Sequence, residues 1–455
     1  MATVHVGRER ILGCDHPDTL RARNVLAAVI HSTEGPAAAL PVFRDILAAQ
    51  QRVLGPDHPD TLLIRANLAL TLHDAEGAAA ALPLYRDILA AQQRVLGPDH
   101  PDTLRTRSNL AIAIDNTEGA AAALPLYRDI LAARERVLGP DHPDTLRTRI
   151  HLAGAIDNTE GAAAALPLYR DILAARERVL GPDHPDTLRT RNNLAGAIDN
   201  TEGAAAALPL YRDILAAQQR VLGPDHPDTL LTRNNLAGAI DNTEGAAAAL
   251  PVYRETLTAQ QRVLGPDHPD TLLTRNNLAG AIYHTEGAAA ALPVYRETLT
   301  AQQRVLGPDH PDTLRTRSNL AGAIYHTEGA AAALPLYRET LTAQQRVLGP
   351  DHPDTLRTRN NLAIAIDNTE GAAAALPVFR DILAARERVL GPDHPDTLRT
   401  RNNLAGAIYH TEGAAAALPV FRDILAARER VLGPDHPDTL RTRNNLAIAT
   451  QSVES

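Results

Sequence analysis

Hydrophobic and polar positions along the chain alternate with two helical rhythms, and the segment 223–264 shows both. Leu230, Leu236, Ala237 and Ile240 recur at helical spacing with the aliphatic stem of Arg233 between them. This predicts a first helix, helix A, from Thr229 to about Asn242 with one stripe packed inward. A second stripe, Ala246, Ala249, Leu250, Tyr253, Leu257 and Leu264, predicts helix B, with Arg and acidic residues on its other sides. Thr243-Glu-Gly245 reads as the break between them. Ahead of helix A, Gly223-Pro-Asp-His-Pro-Asp228 is a turn. Gly223 is expected to close the preceding helix as a left-handed cap, and two prolines keep that helix from continuing. Asp228 is expected at the N-cap, where a carboxylate accepts first-turn amides. His226 is expected to bond the last carbonyls of the preceding helix.

This pattern is copied along the chain. Close variants of Leu222-Gly-Pro-Asp-His-Pro-Asp-Thr-Leu230 occur eleven times between Leu12 and Leu440, always 42 residues apart. Such a period predicts an all-α, right-handed α-solenoid, a superhelix of stacked antiparallel helix hairpins, because one hairpin cannot bury both stripes alone. The expected organisation is a remnant of a preceding helix B at 1–12, ten repeats over 13–432, and a terminal half repeat, loop plus helix A, over 433–455. Pro251 conflicts locally with the rest, since it lacks an amide donor inside helix B in all ten full copies. A bend at Pro251 or a late helix start is expected rather than a broken helix.

Composition removes several function classes. The 45 basic residues are all Arg, and 54 acidic residues outnumber them for a net charge of -9, with no basic arm. This argues against phosphate-backbone binding as the main task. The single cysteine, Cys14, leaves no disulfide framework, and with no signal-like or membrane-length segment a cytoplasmic setting is expected. Without Lys there is no phosphate loop, and no nucleophile elbow or zinc-binding His-Glu-x-x-His is present. Asp225-His226-Pro-Asp228 has the residue types of a metal or acid–base site, but each already has work in the turn and an elevenfold catalytic site would be odd. No enzyme, cofactor or metal is expected.

The residues then resemble a known family. A helix reading Arg-Asn-Asn-Leu-Ala, a turn Gly, Ala-Leu-Pro-Leu-Tyr and the linker Leu-Gly-Pro-Asp-His-Pro-Asp-Thr are similar to the 42-residue tetratricopeptide repeats of kinesin light chain, across essentially the whole chain. The resemblance implies that helices A line a concave groove holding peptide segments of partners. It places the Asn234-Asn235 pair at that groove, with Leu231, Gly238, Asp241 and Asn242 beside it, and helical spacing sets 231, 234, 238 and 241 on one face. The candidate peptide-binding residues are therefore Arg189, Asn192, Asn193, Asn234, Asn235, Asp241, Asn276, Asn277, Tyr283, His284, Arg315, Asn319, Tyr325, His326, Arg357, Asn360 and Asn361. Two features depart from the family: where it usually has Gly followed by Arg and an aromatic at the turn, here Glu244 precedes Gly245 and an alanine run replaces the aromatic, and a Lys clamp for a terminal carboxylate cannot exist, although Arg189 and its equivalents could partly substitute.

Two readings of the Asn pairs stay open, ligand contact and bonding between neighbouring helices. The second Asn is the more regular, since Ser108, Ile150 and Ser318 replace the first, which fits a structural role for the second and a ligand role for the first. Tyr283-His284, Tyr325-His326 and Tyr409-His410 replace the Asp-Asn of other copies, by drift or as an aromatic patch on the binding face. The expectation is a non-catalytic scaffold for protein or peptide partners, with no nucleic acid or membrane ligand. The alternatives are a sensor arm of a signalling NTPase system and an array self-assembling into a homo-oligomer through uncapped ends.

Overall fold

The computed structural model describes residues 11–454, so most of the expected remnant at 1–12 lies outside the described residues. Among the described residues there are 21 helices and no strand. Helices consecutive in sequence pack against each other within Met1–Val221 and within Leu222–Ser455, as an all-α repeat solenoid requires. The chain divides into two compact units, Met1–Val221 and Leu222–Ser455. Within each unit every helix B packs on its own helix A and, apart from Ala204–Val221 at the end of the first unit, on the following helix A, and most consecutive helices A also touch each other directly.

Helix A of the representative repeat runs from Pro227 to Glu244, two residues longer at each end than the sequence suggested. The N-cap is His226, not Asp228. His226 is extended, with ψ 139°, and its Nδ1 accepts the Asp228 amide at 3.1 Å. The reason lies in Pro227, whose fixed φ and missing amide suit the first helical position, so the cap falls one residue earlier. Asp228 then sits in the first turn, where its charge still opposes the helix dipole. At the other end Thr243 does not break the helix, because its hydroxyl bonds the Ala239 carbonyl at 2.7 Å and keeps the last turn closed.

Only Gly245 separates helix A from helix B, which spans Ala246–Val263. Its φ of 93° and ψ of 163° put it in a region open to glycine alone, beyond the left-handed helical conformation. Its amide bonds the carbonyls of Asp241 and Ile240, so the reversal takes one residue. Helix B begins at Ala246 and continues through Pro251. A late start is thereby excluded, and the helix is unbroken as expected.

The predicted stripe of helix A, Leu230, Leu236, Ala237 and Ile240, is buried; on helix B Ala249 and Tyr253 are buried, while Ala246, Leu250, Leu257 and Leu264 are half-buried. Hydrophobicity alone did not mark Thr229, Thr232, Asn234, Thr256 and Gln260, which are buried with them.

Candidate interaction face

The helix A Pro227–Glu244 packs against its own helix B and touches the following helix A, Pro269–Thr285. What stays partly open is the row Asp228, Leu231, Asn235 and Gly238, half-buried, leading to exposed Asn242. Steps of three and four residues make this one helix face. It differs by one residue from the face expected from the sequence, because Asn234 is only 3% exposed and Asp241 turns toward helix B.

The buried asparagine is the pivot of a ladder between repeats. The Asn276 side-chain carbonyl accepts from Asn319 Nδ2 at 3.2 Å and from Thr316 Oγ1 at 3.0 Å. Asn277 donates in the same way to Asn234 at 3.3 Å, and Asn403 to Asn360 at 3.3 Å. Asn192, Asn360 and Asn402 are buried like Asn234 and Asn276. Asn193, Asn235, Asn277, Asn319 and Asn361 are half-buried on the open row. Burial and ladder bonding thus divide between the two asparagines. The first Asn of each pair is the structural one, and the second combines a ladder bond with a place on the open face. Where Ser318 replaces the first Asn, its hydroxyl still bridges to Thr358 Oγ1 at 2.8 Å.

A second ladder runs near the C-terminal ends of helices A. Tyr283 stands edge-on to His284 and to His326 of the next repeat, with ring centroids 5.1 and 5.7 Å apart. Tyr325 meets His326 at 4.9 Å and receives a hydrogen bond from Asn368 Nδ2, while the Tyr409 hydroxyl lies 2.9 Å from Ser452 Oγ. Asp241 belongs to the packing between helices A and B. Burial pushes its carboxyl above the usual range, and nearby His284 works against that. The candidate arginines Arg189, Arg315 and Arg357 lie on the open row, each paired with the Asp three residues earlier at 2.8, 2.9 and 3.0 Å.

Sequence reasoning missed the residue near the end of helix B, which is Arg or Gln and buried in every full repeat. Arg134 Nη1 donates to the Asp144 carbonyl at 2.9 Å and to Thr148 Oγ1 at 2.6 Å, clasping the following helix A. Burial pushes the guanidinium of its counterpart Arg386 down to about 10, against the pull of Asp396. The visible signal was the switch between Arg-Glu-Arg and Gln-Gln-Arg at this point. The first Glu of the former pairs with the next helix A, as Glu135 does with Arg149 at 2.5 Å. Among the described residues no cluster of His, Cys, Asp and Glu is arranged to hold a metal, and no helix is long and apolar enough to cross a membrane.

Two family models, both described as Tetratricopeptide repeat, match the chain. One matches residues 18–94, 66–114, 271–330 and 317–366, the other six 42-residue segments at 103–144, 145–186, 187–228, 229–270, 355–396 and 397–438. No curated protein matches. Among solved structures, the nearly identical TPR-like repeats of kinesin light chain type from Podosopora anserina are 24% identical, over 45% of this chain and 97% of that one, with a TM-score of 0.38. BtubC from P. vanneervenii is 20% identical, over 55% of this chain and 94% of its own, with a TM-score of 0.38. A Rap protein complexed with Competence and Sporulation Factor is 12% identical, over 82% of this chain and 98% of its own, with a TM-score of 0.56, a likeness of fold.

Proposed function

Because the chain belongs to the tetratricopeptide repeat family, whose members are interaction scaffolds, we propose that it binds extended peptide segments of a protein partner along the open row of its helices A. The observation that carries this reading is the row itself. In most repeats the same face of helix A carries an Asp, an Arg or Leu, an Asn amide and a Gly or, in some, an Ile, most of them half-buried. A chain laid across it meets alternating amide, guanidinium and aliphatic contacts, each weak, whose sum over several repeats gives affinity. Arg315, Asn319, Arg357 and Asn361 are the central contacts in this reading, with Tyr283 and Tyr325 at the edge.

The test is selection of binders from a random peptide library against the whole chain, followed by affinity measurement on variants. Arg315→Ala with Arg357→Ala, and separately Tyr325→Asp, should weaken selected peptides about tenfold or more, the loss of one charge-assisted hydrogen bond or more. Arg254→Ala on helix B should leave them unchanged. Peptides indifferent to the helix A variants and sensitive to Arg254→Ala would place the binding surface elsewhere.

A further inference from the structure

The Asn ladder is interrupted in one stretch, where Ala66, Ser108 and Ile150 stand in the place of the first Asn. Ser108 turns its hydroxyl back onto its own helix, to the Leu104 carbonyl at 3.0 Å, and so reaches no partner on the next repeat. The residue that would complete the missing bond is His151, which replaces the second Asn. Between helix Pro101–Glu118 and helix Pro143–Glu160 the cleft that the ladder fills in other repeats is therefore open. A cavity of about 420 Å³ occupies it.

The walls are of two kinds. Leu104, Ile112, Val137 and Leu138 form an apolar side, and Arg105, Arg134, Arg147 and His151 approach from the other. Asp102 and Asp144 also line the cavity, each already paired at 3.1 Å with Arg105 and Arg147 respectively. Three guanidinium groups against two carboxylates leave one positive charge in excess. His151 registers the imbalance: burial first, then the fields of Arg189, Arg147, Arg134 and Arg176, hold its imidazole down at about 4. One imidazole face stacks on the Tyr127 ring at 5.9 Å, and among the described residues His151 makes no hydrogen bond, so its ring nitrogens are available to a ligand.

We propose that this cavity is a binding site for a small organic monocarboxylate carrying an apolar body, its carboxylate held by Arg147, Arg105 and His151 and its hydrocarbon against Leu104, Ile112 and Leu138. The single excess charge matches a monoanion, and a carboxylate is the planar acceptor that a guanidinium fork addresses best. A volume of this order suits a small molecule of one or two rings. The site does not depend on the peptide reading, since it is formed by two repeats whatever the rest of the face holds.

The experiment is calorimetric titration of the full chain with 1-naphthoate and, in parallel, with the neutral 1-naphthalenemethanol. Saturable one-to-one binding of the acid and at least tenfold weaker binding of the alcohol are expected. Arg147→Gln should weaken 1-naphthoate roughly ten- to a hundredfold, the range for one charge-assisted bond. The double variant Ser108→Asn/His151→Asn restores the ladder pair that fills this cleft in other repeats, remains folded by that precedent, and should abolish binding. Equal affinity for acid and alcohol, binding unaffected by the restored Asn pair, or no binding of 1-naphthoate at all would each overturn the assignment. A lost peptide interaction with this titration intact would count against the peptide reading alone.

Discussion

The asparagine ladder makes a quantitative prediction that ranks two residues the sequence cannot rank. In Asn276→Ala the carbonyl that serves both Asn319 Nδ2 and Thr316 Oγ1 disappears. Each net hydrogen bond contributes about 1 kcal/mol, and a small void replaces the amide, for a total near 2–3 kcal/mol. The Thr316 hydroxyl limits the damage, because it can turn to its own helix as Thr400 does toward the Asp396 carbonyl at 3.2 Å. Asn319→Ala removes one donor, leaves the Asn276 carbonyl satisfied by Thr316, and should cost about 1 kcal/mol. Asn276→Ser should fall between the two, since Ser318 shows that a hydroxyl at this position bridges to the next repeat. A repeat array does not unfold as one unit, so a global midpoint would blur the effect. Amide hydrogen exchange resolves it. Protection in helices Pro269–Thr285 and Pro311–Glu328 should fall about thirtyfold in Asn276→Ala, the rate equivalent of about 2 kcal/mol, and about fivefold in Asn319→Ala. Equal or inverted losses, or a loss spread evenly over the chain, would refute the ladder.

Other substitutions test other parts of the repeat. Gly238→Ala should stabilise by roughly 0.5–1 kcal/mol, because a helical glycine is replaced and the added Cβ meets the Tyr253 hydroxyl at an ordinary 3.5 Å; thermal unfolding that shifts downward instead would show the contact to be tight. Pro251→Ala should stabilise by about 1–3 kcal/mol by restoring an amide donor inside helix B, read as increased protection of Ala246–Val263. The imidazole of His151 is held below its usual value in the fold, so the unfolded chain binds more protons between about 4 and the ordinary histidine value. Stability should therefore rise with pH across that window and flatten above it. His151→Asn should remove that part of the slope; an unchanged slope in urea titrations at several pH values would contradict the burial of the ring.

What the sequence could tell about this fold followed from features complete within one repeat. The 42-residue period, the Gly223 and Gly245 turns and the inward Leu230, Leu236 and Ile240 all announce themselves locally, and the hairpins form where they point. The errors arose where the deciding contact lies in another repeat. Whether Asn234 or Asn235 faces inward depends on Asn277, 43 residues from Asn234, one more than the period. A helix read alone assigns polar residues outward, whereas Thr229, Thr232 and Asn234 are buried with their neighbours. One residue of helical rotation separates the expected face from the open one, enough to exchange a buried amide for an exposed one. The N-cap was misplaced for a local reason, since both Asp228 and His226 can cap and only the geometry of Pro227 decides.

The same threonine shows how two clasps between repeats compete. Thr316 follows a repeat with Gln302 and gives its hydroxyl wholly to Asn276 at 3.0 Å. Thr400 and Thr442 follow repeats with Arg386 and Arg428, whose Nη1 atoms take the threonine oxygen at 2.6 Å. Their hydroxyls turn back toward their own helix carbonyls, and the contacts to Asn360 and Asn402 stretch to 3.5 and 3.4 Å. A guanidinium therefore lengthens the Thr–Asn contact it sits beside and ties helix B directly to the next helix A, while the Asn403–Asn360 rung keeps its 3.3 Å. Two of the four positions that have lost the first Asn lie at junctions tied in this way. Ser108 and Ile150 belong to repeats whose helices B end in Arg134 and Arg176, and these arginines hold Thr148 and Thr190 at 2.6 and 2.7 Å. With the junction secured from the helix B side, the cleft between the helices A is released from a packing duty, and it is there that the charged cavity around His151 opens.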